Sequence, residues 1–521
     1  MSVEGKYQTF GRKVIYTSLE PTIENIPKII TDAMTCHMMN VTDIRYLTDY
    51  FLGKQPILEK EKQVRPNINN QVCLNYAWST VRDTTGYFMG TPLQYTARTA
   101  EVADAIQELN SAMELENRAT VDKEVEDFCS ICGVGYKCTL VDPIGYENDV
   151  PFNLMSLSPF NTFVVYSTAI GHTPVLSVNF FDYRDENDMP CRRYIAYTNE
   201  LACEYLTAGA NNSVTVNDMI SSTLHQHGGN PIVEYKNNQW RMGDFEMVTT
   251  LLDAINLTTS NSLDDVEQVV EAILLLFGIP ADEHEGVGEL ENGDILVFSG
   301  EQGINQDGKY LQCSLNPQAV TQLREYLEEA YKVVVGIPDR KTRGGGGGDT
   351  GDAVKLRDGW ADLELVARNK ELFWKQAERQ SLKVAIKLMQ DKSQIKSLKM
   401  IDIDMMFSRN KNDNLQTKTT AGATLYNMKV DKSDIAQAMN ITTDIVGFVD
   451  RWKANEEEAQ MKQAELFAQQ KWSEGSDGTK EPSKDGKEDS KEDDKKDNGD
   501  DKGDSKDDKK KKENKDNPQD E

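Results

Sequence analysis

Two segments near the middle of the chain constrain its fold most, because each combines a helical repeat of apolar residues with the same ending. Residues 262–280 spell SLDDVEQVVEAILLLFGIP, and residues 316–338 end in VVVGIP. The apolar residues on one helical face of the first segment are Val266, Val269, Val270, Ile273, Leu274 and Phe277. Those of the second are Val320, Leu323, Leu327, Ala330 and Val334. Each repeat, with polar residues opposite, predicts an amphipathic helix that stops at Gly-Ile-Pro.

The first residues of both segments are typical of a helix start. Ser262, with Asp265 three residues later, resembles a capping box, and Asn316 before Pro317 suits the start of a helix. The insert between the segments, residues 281–315, contains the strand-like sequences DILVFSG and GKYLQCS. We therefore predict a helical hairpin with a small strand module at one end and a glycine-rich loop at the other.

That loop contains five consecutive glycines preceded by a basic cluster. A phosphate-binding P-loop would need Lys-Ser/Thr after the glycines, between a strand and a helix. Here Asp349 follows them, and its carboxylate would repel a phosphate. Nucleotide binding is therefore disfavoured. Two interpretations remain: a passive flexible linker, or a mobile loop that presents basic side chains at the end of the hairpin.

The charge of the chain disfavours a protein that holds DNA on a basic surface. The 521 residues carry a formal net charge of −28. The 13 lysines and 19 acidic residues of segment 473–521 account for −6 of this total, so the rest of the chain is itself strongly acidic. That segment has no aliphatic or aromatic residue and is predicted to be disordered. No apolar run is long enough to span a membrane, and the start lacks a signal peptide's apolar centre, so we expect a cytosolic product.

Cysteine spacing offers one candidate site for metal or redox chemistry. Cys129, Cys132 and Cys138 lie in CSICGVGYKC, and a CxxC pair can begin a zinc site. The matching second pair is missing, which favours buried free thiols over zinc or redox chemistry. No G-x-S-x-G or H-E-x-x-H motif occurs, so we expect no enzymatic activity.

The remaining patterns predict an α+β chain. Helical repeats cover residues 23–52, 70–88 and 100–129, and a long helix capped by Asp349 or Thr350 runs to about residue 390. Short helices are predicted at 420–428, 433–439 and 443–470, after the strand-like KMIDIDMMFS. Six strand-like segments separated by turn residues predict an antiparallel sheet of hairpins. They are YKCTLVD, FNLMSLS, FVVYS, VLSVNFFDY, RRYIAYT and ACEYLT.

Several segments together resemble the portal (head–tail connector) proteins of long-tailed double-stranded DNA bacteriophages. YFLGKQPIL and RPNINNQVCLNYAWSTVRDTTGYFMGTPLQY are similar to the N-terminal signature of that family. CGVGYKCTLVDPIGYENDVPFNLMSLSPFNTFVVY resembles its sheet-forming wing segment. DDVEQVVEAILLLFG and EYLEEAYKVVVGIPD resemble its two stem helices around a clip. The resemblance runs from about residue 44 to residue 458, and the glycine loop is more basic and glycine-rich than in the family.

The resemblance implies a portal fold with a mixed α/β wing, a two-helix stem, a small α/β clip, a long wing helix and an α-helical crown. The implied bounds are wing 1–245, first stem helix region 246–280, clip 281–315, second stem helix 316–337, tunnel loop 338–351, long wing helix and returning strand 352–410, crown 411–472 and disordered tail 473–521.

The resemblance also implies a function and partners. A ring, usually of twelve subunits, would occupy one capsid vertex of the virion after assembly in the host bacterial cytoplasm. DNA packaged by the terminase large subunit would pass through it, and head-completion proteins would bind the clip. Major capsid and scaffolding proteins are further expected partners, with no cofactor, metal or membrane. The alternatives are a cytosolic metal- or nucleotide-binding enzyme using Cys129 and Cys132 or the glycine segment, and a monomeric adaptor.

Residues expected to face the channel follow from the same resemblance. The tunnel-loop residues are Arg340, Lys341, Arg343, Gly344, Gly345, Gly346, Gly347, Gly348 and Asp349. The expected channel-lining acids of the second stem helix are Glu325, Glu328 and Glu329. An acidic wall would repel phosphates and let a duplex slide, while three basic residues on a loop could make transient phosphate contacts.

Overall fold

The computed structural model describes residues 10–63, 66–142, 150–209, 211–270, 273–277, 295–298, 307–311, 317–338, 360–392, 394–395, 398–409, 415–439 and 445–474. The α-helices in these ranges are α1 (Ile26–Phe51), α2 (Tyr76–Phe88), α3 (Ala103–Leu115), α4 (Arg118–Cys132), α5 (Thr249–Val270), α6 (Pro317–Val335), α7 (Trp360–Asp391), α8 (Leu415–Asn427), α9 (Lys432–Met439) and α10 (Ile445–Glu474). The chain is therefore α+β, as its patterns predict.

The strands form four sheets within the described ranges. The strands are β1 (Ile15–Thr17), β2 (Gln94–Ala97), β3 (Val134–Val141), β4 (Phe152–Leu157), β5 (Thr162–Ser167), β6 (Pro174–Arg184), β7 (Pro190–Tyr197), β8 (Leu201–Ala208), β9 (Met219–Leu224), β10 (Ile232–Lys236), β11 (Ile273–Phe277), β12 (Ile295–Phe298), β13 (Asp307–Leu311) and β14 (Ile403–Met406). The sheet orders are β1-β5-β6-β7-β8-β9, β10-β3-β4, β12-β11-β13 and β14-β2.

The predicted single sheet of hairpins is confirmed only in part: its last four segments are β5 to β8 of the six-stranded sheet, whereas the first two are β3 and β4 of a separate sheet. Strands β5 to β9 pair antiparallel with their sequence neighbours, and β1 adds to β5 in parallel. In β7 and β8 alternate residues are buried, as expected when one face packs on a core. Helix α1 covers that face, with Ile29, Ile30 and Met34 in one apolar cluster with Val178 and Tyr194.

Strand β3 is buried on both of its faces, because it lies at the centre of the β10-β3-β4 sheet between two cores. Tyr136 and Cys138 join a small apolar cluster with Val164 of the six-stranded sheet. Lys137 and Thr139 point the other way, toward α4 and α7. The strand therefore joins the two halves of the N-terminal region, and it places a lysine in the protein interior.

The predicted helix through residues 262–277 is wrong in its second half. Helix α5 ends at Val270, and Ile273–Phe277 is instead a strand, the central one of its sheet, paired with β12 in parallel and β13 antiparallel. A short continuous apolar run suits a buried strand as well as a buried helix, so periodicity alone cannot separate them. The predicted capping box is also wrong: Ser262 lies inside α5 and its hydroxyl donates to the carbonyl of Thr258 at 2.7 Å.

Other helix boundaries agree with the sequence more closely. Helix α6 starts at Pro317 and ends before Gly336, whose φ of 77° is the left-handed conformation that suits glycine after a helix. The single helix predicted over residues 100–129 is in fact two, because Asn117 adopts φ 52° between α3 and α4. Helix α7 begins at Trp360 in the described chain. Asp349 and Thr350, the predicted caps of this helix, lie outside the described residues.

Folding stability should depend on pH through His37, which is buried beneath the six-stranded sheet. Its Nε2 donates to the Phe160 carbonyl at 3.0 Å, and its ring lies 4.8 Å from that of Phe163. Burial lowers the pKa of His37 from 6.5 to about 4. The unfolded chain therefore takes up the proton first as pH falls, and stability is lost between about pH 6.5 and 4.

We expect His37→Gln to remove this pH dependence. At pH 4.5 the wild-type histidine should cost about 2–3 kcal/mol of unfolding free energy relative to pH 7.5, since one pKa unit corresponds to about 1.4 kcal/mol. Urea unfolding of both proteins at the two pH values gives the difference. Equal pH dependence in wild type and variant would contradict the assignment, and replacement of the exposed His172 serves as the control.

Candidate functional site

Helix α6 carries the predicted channel-lining residues, and one of its faces is fixed to the body of the chain. Tyr331 is 2% exposed and Val335 is 8% exposed, in one apolar cluster with Tyr50 and Phe245. Helix α6 also packs against α5. The inward face therefore attaches the helix to α1, α2 and α5 through aromatic and aliphatic contacts.

Hydrogen bonds on that inward face hold the helix in register with α2. The Tyr331 hydroxyl lies 2.5 Å from Thr80 Oγ1 and donates to the Tyr76 carbonyl at 3.2 Å. One turn away, the Tyr76 hydroxyl donates to Glu328 Oε1 at 3.2 Å. Burial and the nearby Glu328 carboxylate raise the pKa of Tyr76, and burial raises that of Tyr331 to about 12. Both phenols therefore remain protonated donors at neutral pH.

The three predicted channel-lining acids fall in different surroundings. Glu328 is 5% exposed and lies against Tyr76 and Arg324, so its carboxylate faces the chain's own body. Glu325 and Glu329 are exposed, one helical turn apart, and make no salt bridge within the described residues. The structure thus brings two of the three carboxylates together on an accessible face.

A third face of α6 is apolar and exposed, which differs from the sequence-based expectation. The predicted apolar stripe includes Leu323 and Val334, which are 49% and 58% exposed. The neighbouring Tyr326 and Val333 are also exposed, at 67% and 73%. The chain buries the adjacent face through Glu328 and Tyr331 instead. Periodicity found the apolar face correctly but could not tell whether the same chain covers it.

The predicted tunnel loop lies outside the described residues. This covers Arg340, Lys341, Arg343, the five glycines and Asp349. The described chain ends at Pro338 on one side and resumes at Trp360 on the other. Their placement stays a prediction.

Two lysines buried in the interior fix the long helix α7. Lys137 Nζ lies 2.6 Å from Asp122 Oδ1 and 2.6 Å from Glu378 Oε2. The hydroxyls of Tyr95 and Tyr235 donate to the same Glu378 carboxylate at 2.6 and 2.5 Å. Burial opposes the charge on Glu378, but Lys137 and the two phenols outweigh it and lower its pKa. Arg118 Nε lies 3.7 Å from the second carboxylate oxygen of Asp122, so the group is a buried ionic cluster of two cations and two carboxylates.

The second lysine repeats this arrangement two turns earlier in α7. Lys370 Nζ contacts Glu126 Oε1 and Asp244 Oδ2, each at 2.7 Å. Asp244 also accepts from Ser130 at 2.5 Å and from Asn237 at 2.7 Å. Burial raises the pKa of Glu126 to about 7 despite the neighbouring ammonium. Sequence reasoning missed both clusters. The sequence did carry a signal for them, because charged residues occur on the apolar face of each helix. These residues are Asp122 and Glu126 in α4, and Lys370 and Glu378 in α7.

The cysteine cluster lies in the core. Cys129, Cys132 and Cys138 are buried free thiols. Cys129 donates to the Tyr235 carbonyl at 3.4 Å, and burial raises the pKa of Cys132 and Cys138 to about 12. No cluster of three or more potential metal-binding side chains occurs among the residues that the structure describes. Thiols in this state are poor nucleophiles and poor ligands.

Within the same described ranges, no helix combines the length and apolar character needed to cross a bilayer. The model of the family described as "Phage portal protein, SPP1 Gp6-like" matches residues 33–462 of the chain. No curated protein matches the chain.

Proposed function

The chain belongs to the SPP1 Gp6-like phage portal proteins, and from this premise we propose that it forms the ring-shaped DNA channel at one capsid vertex. Portal function is shown by the family match, which covers most of the chain. The family implies a ring that interacts with capsid, terminase and DNA, and a place at the capsid vertex of the virion. We propose that the ring has twelve subunits. The specific partners that we propose are the terminase large subunit, the scaffolding protein and the head-completion proteins at the clip.

One observation supports assembly most directly: α5 and α6 each carry exposed apolar side chains although they pack on one another. On α5 these are Leu257, Leu263 and Val266, and on α6 they are Leu323, Tyr326, Val333 and Val334. Exposed apolar side chains grouped on one structural unit mark interaction surfaces in soluble proteins. A neighbouring subunit in a ring would cover them.

The acidic face of α6 supports the channel role. Glu325 and Glu329 lie between the buried face of the helix and its exposed apolar face, so a ring built through the apolar face would repeat this pair around its axis. Repeated carboxylates repel the DNA backbone and oppose tight binding. We propose that Arg340, Lys341 and Arg343 of the tunnel loop supply the transient phosphate contacts.

The family is generally non-enzymatic, and nothing supports the enzyme alternative. The three cysteines that would carry a metal or redox site are buried and protonated. We propose that the protein acts by shape, assembly and charge rather than by catalysis.

Imaging of the purified chain tests this proposal. We expect negative-stain micrographs to show rings with a central hole, and Val333→Asp to shift the population to single chains, because a carboxylate on a covered apolar face costs several kcal/mol. Glu325→Gln, on the adjacent acidic face, is the matched control and should keep the rings. Absence of rings from the wild type at all protein and salt concentrations would refute the proposal.

A further inference from the structure

Two features at opposite ends of strand β6 complement each other in charge and shape. At its start, Pro174 lines a groove between the six-stranded sheet and helix α7. At its end, the β6–β7 hairpin projects an acidic turn. The strand has eleven residues, so the two features lie roughly 34 Å apart on one rigid sheet.

The groove consists of two adjoining cavities of about 350 and 630 Å³ that share Thr173, Pro174 and Gln380. The sheet contributes its rim: the β5–β6 turn, the β7–β8 turn and the segment after β9. Helix α7 forms the other wall. The wall residues from α7 are Phe373, Gln376, Ala377, Gln380, Lys383 and Lys387. The space is open and large enough for the tip of a hairpin.

The groove carries cations without carboxylate partners on a protein that is acidic overall. Lys383 is exposed, and Lys236 lies with its ammonium 5.3 Å from the Phe373 ring; neither makes a salt bridge within the described part of the chain. Lys387 pairs with Asp391, and Arg241 with Glu234. Glu200, an acidic residue at the rim, makes no salt bridge with a described cation. An anionic group entering the groove would therefore find two ammonium groups.

The hairpin turn carries the opposite charge. Asp185 organises it by accepting backbone N–H groups from Asn187 and Met189 at 2.9 and 2.8 Å. Glu186 at the tip is exposed and makes no salt bridge in the described chain, whereas Asp188 pairs with Arg184 at 3.1 Å. Beside the tip, the rings of Phe181 and Tyr183 lie 5.9 Å apart, and both side chains are exposed, as is Met189. The hairpin tip thus combines the exposed carboxylate of Glu186 with a neighbouring exposed apolar surface.

We propose that the β6–β7 hairpin of one copy of this chain docks into the groove beside α7 of the next copy, with Glu186 at Lys383. Complementary patches at opposite ends of one sheet make a head-to-tail contact, the kind that closes rings when the rotation between copies closes. The contact is distinct from the apolar faces of α5 and α6, and it rests on the proposed ring for its biological setting. It adds a wing-to-wing contact whose strength depends on ionic strength.

A crosslink tests the contact directly. In a Glu186→Cys/Lys383→Cys variant, oxidation should join different copies into ladders on a denaturing gel, because the separation along β6 excludes a bond within one chain. The variants with only one of the two substitutions are the controls and, like the wild type with its eight cysteines, should give no ladder. Absence of ladders from the double variant overturns the proposal, whether or not closed rings form.

Charge exchange tests the energetics. Glu186→Lys and Lys383→Glu should each raise the protein concentration needed for half-assembly by about 5-fold or more at low salt, and the combined variant should return it toward wild type. Glu24→Lys and Lys28→Glu reverse exposed charges elsewhere and should leave it unchanged. Unchanged assembly in both single reversals overturns the hairpin contact while leaving the ring intact. Loss of rings from the wild type itself would instead refute the proposed function.

Discussion

Replacing Lys137 by Met is expected to lower the free energy of unfolding by about 3–5 kcal/mol, because it leaves Glu378 buried without a paired cation and Asp122 with only Arg118, whose Nε lies 3.7 Å away. Both carboxylates lie in the interior, where an unpaired charge has neither water nor an ammonium to stabilise it. The free energy of unfolding is read from the urea midpoint and slope of the dissociated chain. Tyr95 and Tyr235 would still donate to Glu378, which keeps the loss within this range.

A compensated variant separates the unpaired charge from the loss of packing. Lys137→Met together with Glu378→Gln removes one charge of each sign and leaves Asp122 beside Arg118, so it should recover much of the lost stability. Lys123→Met breaks the surface pair with Asp127 and should change stability by less than about 1 kcal/mol. A loss below 1 kcal/mol in the Lys137→Met protein would show that the cluster is not isolated from solvent.

Truncation of Tyr331 to Ala should cost about 3–5 kcal/mol and release α6 from the body of the chain. The side chain is 2% exposed, so its removal leaves a cavity among α1, α2 and α5 and also deletes the hydroxyl contacts with Thr80 and Tyr76. Tyr331→Phe keeps the ring and should cost only about 1–2 kcal/mol. Hydrogen exchange along α6, followed together with urea unfolding, reports both effects.

Tyr326 provides the matched control for this prediction. It lies on the same helix but is 67% exposed, so Tyr326→Ala should leave the stability of the dissociated chain within about 0.5 kcal/mol of wild type. The same substitution should weaken ring assembly, because Tyr326 belongs to the exposed apolar face. If Tyr331→Ala and Tyr326→Ala were equally destabilising, the assignment of inward and outward faces would be wrong.

Local patterns predicted both the sheet and the helical hairpin only in part. Strands β5 to β8 could be predicted because apolar and β-branched residues lie between turn-forming sequences, whereas β1 and β9 of the same sheet were not predicted. Strand Ile273–Phe277 could not, since five consecutive apolar residues satisfy a buried strand and a buried helix equally. The break at Asn117 depends on a single left-handed residue, which composition does not mark strongly.

The candidate site depends even more on tertiary contacts. Glu325, Glu328 and Glu329 follow one another closely in sequence, yet only the packing of Tyr331 on Thr80 turns Glu328 inward and leaves the other two accessible. The lysine clusters join α4 and the following strand β3 to α7, and Glu378 is 241 residues away from Lys137 in the chain. Only the tertiary fold therefore brings these charges together. Family membership, by contrast, was recognised from the order of several segments along most of the chain.

The two buried lysine clusters also have a mechanical consequence for α7. Lys370 and Glu378 lie eight residues apart, about 12 Å along the helix axis; Lys370 pairs with Glu126 of α4, and Glu378 pairs with Lys137 of β3. Turning the helix by one residue, or sliding it by one turn, would pull both anchors from their partners at once. The two anchors therefore fix both the rotation and the axial position of α7 against α4 and β3.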